Sequence, residues 1–159
     1  MNNKGINLIA LVILIIVMII VASIAYNNSF DAQNKAMVAR SKEERMNVTH
    51  AIQNRFGEYI TNDTISPLSG VIIPEDNDTI DKMYEYITTY LRSKGKLATD
   101  QKEEFENDIM NLLKENQNNL EYTRVLEHSH LLELGVENLP TDAMYVVNYY
   151  GMTVVGPIY

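Results

Sequence analysis

The chain has 159 residues, of which 13 are basic and 21 acidic, for a formal net charge of −8; 46% of its residues are hydrophobic. The acidic balance opposes neutralisation of phosphates, so nucleic-acid binding is not expected. The sequence contains no cysteine, which excludes disulfide staples, thiol nucleophiles and acylation at a cysteine.

A short polar head with one cation, Lys4, and a glycine, Gly5, open the sequence. Ile6 to Tyr26 is then an almost unbroken apolar run, interrupted only by Asn7 and Ser23 near its two ends. About twenty residues at about 1.5 Å rise cover the roughly 30 Å hydrocarbon core of a bilayer, so the run predicts a transmembrane helix over 6–26. Lys4 is the only charged side chain before Asp31, so the part beyond the run is more acidic than the whole.

The junction reads Lys4-Gly5-Ile6-Asn7-Leu8-Ile9-Ala10-Leu11. It resembles the cleavage and methylation site of type IV prepilins and pseudopilins, where a basic residue and a glycine precede an apolar residue, a small polar residue and Leu-Ile-Glu-Leu. The resemblance implies a leader peptide, 1–5, removed by a prepilin peptidase that cuts between Gly5 and Ile6 and N-methylates Ile6. It further implies a single-pass protein of the cytoplasmic membrane with its C-terminal domain outside. The implied partners are other pilin-like subunits of a type IV pilus or type II secretion-like filament at the cell surface. Two positions depart from the pattern. Ile6 stands where Phe or Met is commoner, a change found in clostridial pilin-like proteins. Ala10 stands where Glu is usual, whose carboxylate pairs with the neighbouring subunit's N-terminal amine. A carboxylate in lipid needs a partner and an alanine does not, which speaks against a place in the filament shaft and leaves a minor, tip or non-assembling pilin-like protein open.

Two other readings of the segment remain open. Ser23-Ile24-Ala25 offers a small-residue site for signal-peptide cleavage, though it leaves the glycine junction unexplained. An unprocessed bitopic anchor carrying an extracytoplasmic binding domain needs only the apolar run. Lys35, Arg40, Lys42 and Arg45 outnumber Lys4, and a positive-inside count would place the C-terminus in the cytoplasm. These cations are interleaved with Asp31, Glu43 and Glu44, and the junction motif outweighs the count.

The helix is expected to continue over 27–60 as an amphipathic spine. Phe30, Met37, Ser41, Val48, Ile52, Phe56 and Tyr59 recur at helical spacing, no proline intervenes, and Gly57 comes only near the end. Asn27-Asn28-Ser29 is the expected weak point, since short polar side chains compete for backbone hydrogen bonds.

The remainder, 61–159, reads as one globular part. Turn residues dominate from Thr61 to Thr79, with Val71-Ile72-Ile73 a short candidate strand. Asp76, Asp78 and Asp81 invite a calcium reading, but no glycine and no distal bidentate Glu complete a loop pattern. Asp78 or Thr79 is the better N-cap for a helix over about 79–92, whose face is Ile80, Met83, Tyr84, Ile87, Tyr90 and Leu91. Gly95 fits its C-terminal cap. A second helix, about 99–116, presents Phe105, Ile109, Leu112 and Leu113.

From 121 onward the chain is β-rich. Tyr122–Leu126, Ala143–Asn148 and Thr153–Tyr159 read as strands, and His130–Leu134 as a helical turn or two closed by Gly135. Tyr149-Tyr150-Gly151-Met152 reads as a hairpin turn with Gly151 at positive φ, and Pro157 suits an edge strand. The fold class is α+β: a long N-terminal helix, shorter helices, and a C-terminal antiparallel sheet of two or three strands packed on the spine, which is pilin-like.

Chemistry-bearing motifs are few. His128-Ser129-His130 lies beside Glu127 and Glu133, so zinc is conceivable, but spacing fixes no third ligand and polar, solvent-facing residues at a strand–helix junction explain the group more simply. His50 is expected to face solvent. The chain lacks a nucleophile elbow, a glycine-rich phosphate loop and an internal repeat. Ten tyrosines accompany three phenylalanines and no tryptophan, predicting half-buried core rings. The expectation is a structural protein, not an enzyme, with no cofactor and no metal.

Overall fold

The computed structural model describes residues 3–61, 67–97 and 102–159, with the side chains of 3–10 and 27–28 outside the described set. Helix α1, Asn3–Thr61, runs for 59 residues and passes through Asn27-Asn28-Ser29 without a break. Poor helix formers cost only about 0.7 kcal/mol each against alanine, too little to interrupt a continuous hydrogen-bond ladder with helix on both sides. The chain divides into two units, Met1–Arg40 and Ser41–Tyr159.

Within the second unit, four antiparallel strands lie in the order β1 (Val71–Ile72), β2 (Thr123–Leu126), β3 (Met144–Asn148) and β4 (Thr153–Ile158). The sheet thus has one strand more than the C-terminal sequence predicts. The short run after Pro67 closes onto β2, pairing Val71 with Val125 and Ile72 with Arg124. Pro157 lies in an edge strand, β4, as expected.

Helices cover both faces of the sheet. On one face, Val125, Met144, Val146 and Ile158 pack with Met83, Ile87 and Leu91 of α2 (Ile80–Ser93) and Ile109, Leu112 and Leu113 of α3 (Lys102–Glu115). On the other, Leu126, Tyr145 and Val147 meet Val48, Ile52 and Phe56 of α1, with Leu131 of the short α4 (His128–Glu133). Alternate residues of β3 serve opposite cores, so all five are buried, and this explains its continuous apolar run. Full burial of a side chain such as Ile52 stabilises by about 1.5–3 kcal/mol.

The spine stripe needs correction. Val48, Ile52 and Phe56 are buried, whereas Phe30 and Met37 are 54% and 69% exposed. The helical spacing continues toward the N-terminus, but these two side chains are not buried. The helix boundaries otherwise agree closely with the sequence. Thr79 caps α2, its Oγ1 accepting from the Lys82 N–H at 3.4 Å, and Gly95, at φ 76°, follows its C-terminus. The expected start of α3 near Thr99 lies outside the described residues.

The β3–β4 turn also differs from expectation. Met152, not Gly151, takes the positive φ, at 53°. Gly151 is needed for a different reason: a Cβ there would run into the Asn116 side-chain oxygen. Asn116 is buried against the turn, its Nδ2 donating to the Leu112 carbonyl at 2.8 Å and to Thr153 Oγ1 at 3.0 Å. Asn148 Oδ1 accepts from the Gly151 N–H at 2.8 Å and closes the turn from within.

Candidate functional site

Leu11 to Tyr26 form the apolar length of α1, and every residue of it is exposed within the chain. Large side chains such as Met18, Ile19 and Val21 present more than half of their surface. So long an uncovered apolar surface is unfavourable in water and favourable in lipid, and this is the chain's single candidate membrane span among the described residues. Ser23, the polar residue at its C-terminal end, donates its hydroxyl to the Ile19 carbonyl at 2.8 Å. That bond satisfies the hydroxyl inside the helix, as a lipid environment requires.

Gly5, Ile6 and Ala10 belong to the backbone of α1, upstream of this length. Their side chains, with that of Asn7, lie outside the described residues, as do Met1 and Asn2.

The other sequence candidates find structural employment. His130 Nδ1 accepts from the Glu127 N–H at 3.1 Å, while the Glu127 side chain accepts from the His130 N–H in return. This reciprocal capping box starts α4 two residues earlier than the sequence suggests. His128 Nδ1 is buried without a hydrogen-bond partner. No group of three or more His, Asp or Glu among the described residues is placed to hold a metal ion. Asp78 pairs with Lys82 at 3.1 Å, which holds its carboxyl below the ordinary range. His50 is exposed, as expected.

Sequence reasoning missed two constellations. Glu127 Oε1 accepts from the Tyr90 hydroxyl at 2.5 Å and from Lys94 Nζ at 2.9 Å, tying the end of α2 to the start of α4. Tyr90 first, then Lys94, hold the Glu127 carboxyl below its ordinary range. At the end of α1, Phe56 stacks with Tyr59 and meets Tyr122 and Tyr150 edge-on, and Tyr122 and Tyr150 stack with each other. Arg124 on β2 lies near Tyr59 and Tyr149, and burial lowers its guanidinium pKa. Tyrosine enrichment was the only sequence signal of this cluster, since the contacts join distant segments. No protein family, curated protein or solved structure matches this chain.

Proposed function

We propose that this chain is a pilin-like or pseudopilin subunit, a minor structural component of a type IV pilus or type II secretion-like filament. In this reading a prepilin peptidase cuts between Gly5 and Ile6 and N-methylates Ile6. The unit from Ser41 onward then lies outside the cytoplasmic membrane. The protein works by helix packing with other pilin-like subunits, without bond chemistry and without nucleic acid. One observation supports the reading: a single helix supplies both an exposed apolar length, Leu11–Tyr26, and a face at Val48–Phe56 packed on an antiparallel sheet.

A second reading is an unprocessed bitopic protein with an extracytoplasmic binding domain. It is favoured by Ala10, which supplies no carboxylate for a neighbouring amine. Mass spectrometry of the mature N-terminus separates the two. A start at N-methyl-Ile6, abolished by Gly5→Leu, is the expected result. An intact Met1 supports the bitopic anchor, and a start at Tyr26 means a signal peptide.

A further inference from the structure

Between the end of α1, β1 and the short 3₁₀ turn Leu120–Tyr122 lies a concavity of about 550 Å³, in the size range of small-ligand sites. Its lining combines aromatic rings, Tyr59 and Tyr122, with side-chain amides, Gln117 and Asn118, and the guanidinium of Arg124. Each ring is braced by a neighbouring ring. Phe56 stacks on Tyr59 at 6.1 Å between centroids, and Tyr150 stacks on Tyr122 at 5.8 Å.

Arg124 is only partly satisfied. Its Nη1 donates to the Glu121 and Thr123 carbonyls at 2.6 and 2.7 Å, but its buried Nε has no hydrogen-bond partner. It makes no ion pair among the described residues. An anionic ligand would answer the charge alone, yet Glu75, Asp78 and Glu121 also line the concavity, so its rim is net acidic. A peptide adding a strand would find only two residues of β1 to pair with before Pro74.

We propose that this concavity binds a short neutral saccharide. The C–H faces of sugar rings stack on Tyr59 and Tyr122, while hydroxyls donate to the carboxylates and amide oxygens and accept from Arg124 and the amide N–H groups. This combination suits the rings and the polar lining together, without adding charge to an acidic rim.

The test uses the full chain in lipid nanodiscs, which introduce no sugar, and saturation-transfer NMR with millimolar cellotriose, maltotriose and chitotriose. Saturation is expected on the ring C–H protons of at least one of them. Affinity should fall roughly tenfold in Tyr59→Ala and in Arg124→Gln, and stay unchanged in Tyr86→Ala on α2. Tyr59 is 40% exposed at the end of α1, so its variant keeps the fold if Arg124→Gln does not. Absence of transfer to all three sugars overturns the proposal. So does wild-type affinity in Tyr59→Ala, or binding of glucuronate in place of the neutral sugars.

Discussion

The units Met1–Arg40 and Ser41–Tyr159 share one helix and obey different rules. In the first, Leu11–Tyr26 is exposed, and length and apolarity are enough to suit the segment to a bilayer. In the second, Val48 and Ile52 are fully buried and their shapes are set by the strands they meet. Amphipathic spacing shows where a helix is able to bury a face. Burial follows only where another element arrives to cover it.

Substitutions sharpen that contrast, and the largest effect belongs to the packed unit. Ile52→Asp places an unpaired charge between α1 and the sheet and should cost more than about 4 kcal/mol, eliminating the cooperative melting of the full chain in nanodiscs. Ile16→Arg should weaken membrane insertion by about 2.5–3.5 kcal/mol in a translocation assay and leave the melting temperature of the second unit unchanged. A drop in that melting temperature would mean that the two units are not independent.

Within the packed unit even one methyl group matters. Gly151→Ala drives a Cβ into the Asn116 side chain. A loss of about 1–3 kcal/mol is expected in denaturant titration, with less than additive loss in the double variant with Asn116→Ala. Additive losses would show that the collision is relieved elsewhere.

Glu127 gives a smaller, pH-dependent effect. Its folded carboxyl titrates below the ordinary range, so the stability it contributes is complete above that range and disappears as pH falls through the lowered value. With the carboxylate partly exposed to water, the contribution is below about 1 kcal/mol. The melting temperature of Glu127→Gln should accordingly fall less steeply with acidification than that of the wild type, and parallel curves would refute the linkage. The smallest effect belongs to Met37→Asp, within about 0.5 kcal/mol by the same melting assay, because that side chain is exposed.

The α+β class, the extent of α1 and the caps Thr79 and Gly95 were legible because each depends on neighbours within a few residues. The exposure of Phe30 and Met37 was not, since periodicity carries no information about what stands opposite. Pairing of β1 with β2, the Asn116 contact at Gly151 and the bond from Tyr90 to Glu127 all join segments distant in sequence. His130 was read as a polar residue at a strand–helix junction, with zinc only conceivable, and its position three residues after Glu127 makes it part of a cap. Of the candidate site, the apolar length was read correctly from composition, whereas the side chains of Gly5, Ile6 and Ala10 lie outside the described residues.

Strand β1 has a kinetic consequence. Val71 reaches Val125 only by closing a loop that contains all of α2 and α3, and two residues return few hydrogen bonds for that closure. The other strand pairs close shorter loops and gain four aligned residues from each pairing. Sheet formation therefore begins among β2, β3 and β4 and ends with β1, and spontaneous opening runs in the reverse order. The amide of Ile72 should exchange with solvent deuterium well before that of Val146. Since Ile72 also lines the concavity beside Tyr59, occupancy of that concavity would be read as slowed exchange at this one edge of the sheet.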